Sequence, residues 1–526
     1  MTQLSNLIGA APATLAAGEA IAVQDAIQVG PDNLAWKIRC TDTAAVNNAG
    51  DLSSTAQGQI QATTALLGAS ASLFSTGSLG KLPAVMQHTN GDIYTMAPSA
   101  TGALGAVVTR WTAGGRKVNQ VTLATGTANN FYQLVQLANG NVLASCTAGT
   151  KIYDANLGLV NATPMTWADS GSGAQDPVFI ALAAGGYCVA FQSTTPANIK
   201  AGLADNTGAT VVAIAVISTV GGGAGACELT GKQLNGSANI VIATRSAVAG
   251  AYMGVFNSTT LAAVSAMASI SYSTTSPAVG VEIAVVPGFF ALLLGSDGTN
   301  MLGGVYTNAG AIVGSNFTLA NTTATNLGQF KLLSNGVDTF YALFASSTSN
   351  FVFSAWSTAA AFTNTTIAAG TSGFNTYVFD AFYEKGRVCV AINNTGLTNP
   401  KLAVINAAAA SLIAAPFVFG TAATAAGSWV GLCSTGDWSF ACIYETSNAV
   451  GSFIFQGKYQ ASAILGRATV AAAIGADVTA SIKPGSYTIN PIGGTNGRAF
   501  DQTGATTGIN GPKGNIQQRT LILNGY

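Results

Sequence analysis

Eight glycines set the frame of this chain. Gly91, Gly140, Gly186, Gly236, Gly288, Gly336, Gly386 and Gly436 each open onto a largely apolar run, and successive steps are 49, 46, 50, 52, 48, 50 and 50 residues. Typical phrases are Gly140-Asn141-Val142-Leu143, Gly288-Phe289-Phe290-Ala291-Leu292 and Gly386-Arg387-Val388-Cys389-Val390. Spacing this regular marks a structural repeat, and a repeat restricts the fold more than any local propensity does. A glycine in front of a strand also says why it recurs: a tight hairpin turn asks for positive φ, where glycine carries no steric cost.

A second series keeps the same register. Trp111, Tyr153, Leu203, Phe256, Tyr306, Trp356, Ile405 and Phe455 centre the next strand of each unit. Most of them run into a turn of small or polar residues, as in Tyr153-Asp154-Ala155-Asn156-Leu157-Gly158, and then into a further apolar strand such as Ala311-Ile312-Val313. Ahead of each glycine lies another short strand, for example Phe131-Tyr132-Gln133-Leu134-Val135. Each unit thus holds about four strands in about 50 residues, the length of a propeller blade. The expected fold is all-β, a β-propeller of about eight four-stranded blades. Seven blades and an open solenoid are the alternatives. A closed ring leaves no long exposed sheet edge, and the strand after each glycine is apolar on both faces because neighbouring blades sandwich it.

The repeat is flanked at both ends. Residues 1–80 are expected to form an N-terminal docking segment and linker, with short strands near Leu15–Val23 and Ala35–Cys40 around a turn at Pro31-Asp32-Asn33. Residues 81–460 hold the propeller, and residues 461–526 a small C-terminal β module. In that module the run Leu465-Gly466-Arg467-Ala468, then Ala472-Ala473-Ile474-Gly475-Ala476-Asp477-Val478-Thr479, then Gly485-Ser486-Tyr487 resembles the small β modules that end many tailed-bacteriophage fibre and virion surface proteins. The charge-poor body, rich in Gly, Ala, Ser, Thr and Asn, is similar to phage tail and appendage proteins as well. The resemblance implies a structural or adsorption role in the virion after synthesis in the host cytoplasm, with other virion proteins as partners, and it supplies no catalytic residues.

Composition narrows the chemistry. Only 8% of the 526 residues are charged, and 20 basic residues balance 20 acidic ones; an ordinary soluble domain carries roughly 25%. Nothing therefore suggests a nucleic-acid surface, and hydroxyl and amide side chains must cover the solvated faces. The uncharged run from Leu402 to Gly436, the strongest candidate for a membrane span, is broken by Asn406, Pro416, Gly420 and Gly427, so no membrane insertion is expected. The N-terminus lacks a basic region and a continuous apolar core, so no secretory signal is expected. Seven scattered cysteines without a CxxC pair read as buried hydrophobes in a reducing compartment. One histidine, His88, is too few for a zinc site or a histidine-based triad.

The remaining polar groups offer few chemical constellations. Asp380, Glu384, Lys385 and Arg387 form the densest charge group in the repeats, read as a solvated hairpin with an acid pair as the functional alternative. Asp154 and Asp205-Asn206 read as hairpin caps, and His88 as a loop histidine. Asp297-Gly298 lacks further acidic ligands at calcium spacing. Asp437 in Ser434-Thr435-Gly436-Asp437-Trp438 stands in the wrong order for a sialidase-type Asp box. Gly221-Gly222-Gly223-Ala224-Gly225 lacks the Lys and Ser/Thr of a phosphate loop. No catalytic residue, metal or cofactor is expected. The candidate binding residues are the aromatics Trp167, Tyr272, Tyr383 and Trp429, able to stack on sugar rings at loop tips, with blade packing as their competing role. The expected protein is a non-enzymatic phage tail fibre or surface appendage, oligomeric, with host-surface glycans as a candidate contact. A glycan-active hydrolase or lyase and a carbohydrate-binding propeller are the alternatives.

Overall fold

The computed structural model describes, within the repeats, residues 84–98, 106–111, 117–124, 132–147, 149–167, 175–193, 198–219, 228–246, 250–270, 281–294, 300–321, 330–345, 350–368, 378–393, 401–413, 416–418, 430–436, 439–447 and 451–458. Outside them it describes 13–17, 20–21, 26–29, 35–37, 39–40, 463–468, 471, 473, 477–481 and 490–491. Every element among the described residues is a β-strand.

The strands form eight successive antiparallel meanders, which we number as blades 1 to 8. Blade 1 runs Ala84–Gln87, Ile93–Pro98, Ala106–Trp111 and Lys117–Ala124, from the ring axis outward. Blades 2 to 7 repeat this order, with innermost strands Tyr132–Gln136, Gln175–Ala181, Glu228–Gln233, Val281–Val286, Phe330–Ser334 and Val378–Glu384. Blade 8 has three described strands, Val430–Gly436, Ser439–Ser447 and Gly451–Lys458. Each innermost strand lies beside the innermost strand of the next blade, and Val430–Gly436 of blade 8 returns to Ala84–Gln87 of blade 1. Gln87 Nε2 donates to Thr435 O at 2.8 Å across this closure. The protein is a closed eight-bladed β-propeller.

The turns explain the glycine repeat. All eight index glycines have left-handed backbone, with φ between 75° and 90°. They close the hairpin between the first and second strands of their blades. The second hairpin on the same face, between third and outer strands, makes the same demand without always using glycine. Gly208 and Gly310 meet it in blades 3 and 5, whereas Leu157, Leu261, Ala360 and Ala410 occupy it at φ of 66°, 58°, 60° and 49°. A polar side chain three or four residues earlier holds that turn together. Asp154 Oδ1 accepts from Asn156 N and Gly158 N, Asp205 Oδ1 from Thr207 N and Ala209 N, and Asn257 Oδ1 from Thr259 N and Thr260 N. Asn406 and Ser357 fill the same position in their blades.

Packing is between blades. The second strands are mostly buried, and along their whole length in Val142–Cys146 and Tyr187–Gln192, because both faces of the sheet meet a neighbour. Apolar clusters fill seven successive interfaces, from blades 1 and 2 through blades 7 and 8. Of the third-strand series, Phe256, Trp356 and Ile405 sit in these clusters, and they and Trp111 are each at most 1% exposed. Trp111 Nε1 donates to Thr95 Oγ1 at 2.9 Å and Trp356 Nε1 to Ser354 Oγ at 2.7 Å, so neither buried indole leaves its N–H unmet. Among the described residues Cys146, Cys188, Cys389 and Cys442 are buried and behave as small hydrophobes; burial pushes the Cys188 thiol up to about 12.

The two chain ends share one sheet. Ala13–Ala16 pairs with Asp477–Ser481, which pairs with Ala463–Ala468, and that strand pairs with the hairpin Ala26–Val29 and Ala35–Lys37. Arg39–Cys40 runs parallel to Asn490–Pro491. The strands read as an N-terminal docking segment and those read as a C-terminal module are therefore joined by backbone hydrogen bonds. The phrase Leu465-Gly466-Arg467-Ala468 and its partner Asp477-Val478-Thr479 lie on two adjacent strands of this sheet.

Two index glycines separate strain from steric demand. A Cβ on Gly336 would meet nothing within 4 Å, while one on Gly186 would lie 2.0 Å from Ala204 O. Gly336→Ala is expected to cost about 1 kcal/mol from left-handed strain, and Gly186→Ala about 3 kcal/mol or more because backbone must move. Urea unfolding of the two variants measures this difference, and equal losses would refute the steric account.

Candidate functional site

The innermost strand of each blade has one edge to which no strand is hydrogen-bonded, and this edge lines the ring axis. At one height on that wall stand Gln133, Lys232, Glu282, Lys331, Asp380 and Cys433. Five of them pair with the residue five positions past the index glycine, namely Ser145, Val241, Leu293, Ala391 and Ala441, and Lys331 pairs with Leu343. Strand alternation sets their direction. Phe330 and Leu332 enter the cluster shared with blade 5, so Lys331 between them faces blade 7. Phe379 and Ala381 enter the cluster shared with blade 6, so Asp380 faces blade 8.

The result is a belt of alternating charge running along the ring. Lys331 Nζ lies 3.4 Å from Glu282 Oε1 and 3.1 Å from Asp380 Oδ1. Asp380 Oδ2 accepts from Leu432 N of blade 8 at 2.7 Å, and Oδ1 accepts from Ala381 N at 2.9 Å. Gln133 plays the neutral version of this role: its Oε1 accepts from Phe179 N at 3.1 Å and its Nε2 donates to Pro177 O at 2.6 Å. Desolvation pulls the Lys331 ammonium down, but the Asp380 and Glu282 carboxylates outweigh it and its pKa is raised. At Lys232 the balance is reversed. Solvent reaches its side chain, yet the surrounding strands desolvate it; Glu282 opposes that effect, Lys331 reinforces it, and its pKa is lowered.

This geometry corrects the reading of Asp380, Glu384, Lys385 and Arg387 as a solvated hairpin. Asp380 is tied into the inter-blade belt, with its side chain only 16% exposed. Glu384 lies four residues further along the same strand, about 13 Å away by strand rise, whereas a glycosidase carboxylate pair spans roughly 5 to 10 Å.

A second polar group locks blade 1 to blade 2. The Asp92–Arg110 ion pair is buried, with Arg110 Nη2 2.5 Å and Nε 2.6 Å from Asp92 Oδ2, and Arg110 Nη1 donates to Asn156 Oδ1 of blade 2 at 2.6 Å. Tyr94 OH donates to Ala155 O on the same turn. His88, expected in a loop, is 4% exposed. Asn90 N donates to its Nδ1 at 3.1 Å, so Nε2 carries the proton and donates to Gly140 O at 2.8 Å. It bridges blades 1 and 2.

Of the four candidate aromatics, two lie among the described residues. Tyr383 stacks on Tyr341, with ring centroids 5.3 Å apart and planes 14° apart, and its hydroxyl accepts from Gly386 N at 3.0 Å. Trp167 packs on the cluster between blades 2 and 3. Tyr272, Trp429, Asp297, Gly298, the 221–225 glycine run, Asp437 and Trp438 lie outside the described residues. Among the described residues no three His, Cys, Asp or Glu side chains come together as a metal site, and no helix is long and apolar enough to cross a membrane.

Removing the middle of the belt strands two carboxylates. Lys331→Met is expected to cost about 2 kcal/mol, the lower part of the range for breaking an enclosed pair because solvent partly screens it. Unfolding in urea measures this cost, and a cost that disappears at neutral pH would refute the pairing. A separate outcome concerns alkaline pH. Burial pushes Tyr94, Tyr153, Tyr306 and Tyr341 from 10.0 up to about 12. A raised folded-state pKa stabilises fully below the unfolded value and is lost as pH rises through the folded one. Stability is therefore expected to hold to about pH 10 and fall between about pH 10 and 12, tracked by tyrosinate absorbance alongside circular dichroism. Tyrosine ionisation near pH 10 in the folded chain would contradict this.

No protein-family model and no curated protein matches the chain. Among solved structures it is similar to the Dos1 propeller at 12% identity and a TM-score of 0.47, covering 73% of this chain and 94% of that one. It is similar to the WD40 domain of SCAP from fission yeast at 8% identity and 0.44, covering 74% and 97%. The fucose-specific lectin from Aleuria aurantia follows at 11% identity and 0.33, covering 55% and 96%. These are likenesses of fold, and the propeller assignment itself rests on the strand order and the closed ring described above.

Proposed function

We propose that this chain is a non-enzymatic virion surface protein of a tailed bacteriophage, a tail fibre or related appendage. It assembles with other virion proteins and with copies of itself, and meets host-surface glycans through what differs between its blades. The observation that carries the reading is the use to which the described charges are put. Asp92 and Arg110 lock two blades, Glu282, Lys331 and Asp380 hold three more, and Asp154 and Asp205 cap turns. Carboxylates spent in this way serve rigidity, which an attachment scaffold needs and which is costly for a protein with so few charges to duplicate in a catalytic centre.

The surface agrees with assembly by apolar and hydroxyl contacts. Val118, Leu159, Val211, Val264 and Phe362 in the outer strands of blades 1 to 4 and 6, and Ile312 and Ile413 beside those of blades 5 and 7, are exposed. Contacts of that kind are insensitive to salt.

Mass spectrometry of purified virions from the source is the test. Peptides of this chain are expected in fixed ratio to other virion proteins. Their absence would sink the virion reading, and release of sugars from host envelopes by the purified chain would sink the non-enzymatic part.

A further inference from the structure

The charged belt ends unequally. At the blade 8 end Asp380 is saturated by Lys331, Leu432 N and Ala381 N. At the blade 4 end Lys232 is exposed and, among the described residues, makes no ion pair; Glu282 commits only Oε1, at the long distance of 3.4 Å, and its side chain is 25% exposed. An ammonium and a carboxylate oxygen therefore stand on adjacent innermost strands, at the same height, each reached by solvent.

Charge decides what fits between them. A simple anion drawn to Lys232 is repelled by Glu282, and a simple cation drawn to Glu282 is repelled by Lys232 and Lys331. A neutral polyol brings no charge to the Lys232 ammonium or to the second Glu282 oxygen. A compact zwitterion satisfies the two at once, in a setting where the enclosing strands strengthen each contact. We propose that the channel wall between blades 4 and 5 binds a small zwitterion of the amino-acid type, its carboxylate on Lys232 Nζ and its ammonium on Glu282. Lys331, fixed by Asp380, is the positioning residue that holds Glu282 in place. This site does not depend on the virion reading, since it would exist in a propeller of any origin.

Isothermal titration of the intact chain with L-alanine, N-acetyl-L-alanine and L-alanine methyl ester tests the proposal. Acetylation removes the ammonium and esterification the carboxylate. L-Alanine is expected to bind at least about tenfold more tightly than either derivative, and Lys232→Gln and Glu282→Gln are each expected to abolish that preference. The ligand comparison uses the unaltered chain, so a variant that failed to fold would not obscure it. Equal affinity for all three ligands, heat from none of them, or an unchanged preference in both folded variants would overturn it.

Discussion

A four-stranded meander set radially in a ring has two unpaired edges, and the inner one faces the axis, where no further strand fits. Backbone N–H and C=O groups left there unpaired and desolvated would each cost about 1 to 3 kcal/mol. The propeller answers with side chains from neighbouring blades. Gln133 serves Phe179 N and Pro177 O, Asp380 serves Leu432 N, Ser334 Oγ donates to Val285 O, and Gln87 Nε2 donates to Thr435 O. Blade packing is apolar and tolerant, but these contacts are directional, and they fix the height at which one blade meets the next.

Using charge for this task has a cost that the structure contains. Enclosed ions lose hydration, and mutual attraction offsets the loss only when every lone pair and proton is met. Asp380 shows the condition satisfied, with a cation on one oxygen and a backbone amide on the other. The Asp92–Arg110 pair satisfies it through Asn156, a side chain contributed by the turn of the following blade. Gln133 does comparable work with no charge at all, so the belt of blades 4 to 7 is one solution among those the repeat uses. A chain with few charges can place them where geometry is tight because it has left the outside to hydroxyls, amides and small residues.

How legible this was in the sequence depended on whether physics demanded one residue type. The turn after each innermost strand needs left-handed backbone, glycine supplies it, and all eight index glycines could be read directly. The companion turn makes the same demand but hides it, because Leu157, Leu261, Ala360 and Ala410 are held in left-handed geometry by capping side chains and packing. The large third-strand residues were readable since wedge-shaped interfaces ask for bulk. The terminal sheet was not, because pairing Ala13–Ala16 with Asp477–Ser481 leaves no local signature in either segment. The belt lay between these cases. Lys232, Glu282, Lys331 and Asp380 follow at steps of 50, 49 and 49 residues, a periodicity visible once the repeat is indexed, but each sits alone in an apolar strand and looks incidental by itself. In the sequence Asp380 groups with Glu384 and Arg387, its near neighbours, although its partners lie one blade away on either side.

The same logic separates scaffold from specificity in the ring. Residues repeated in every blade answer to geometry common to every blade, so they carry no information about a ligand. Information lies where the repeat is broken. At the belt height four consecutive blades carry charge while Cys433 stands there in blade 8 and Gln133 in blade 2. Alternation must stop somewhere, and its two ends are not equivalent here: the Asp380 carboxylate is met by the backbone N–H of Leu432, whereas Lys232 is exposed and makes no ion pair among the described residues. In this row the carboxylate end closes on the protein's own main chain, and the lysine end leaves its charge to solvent.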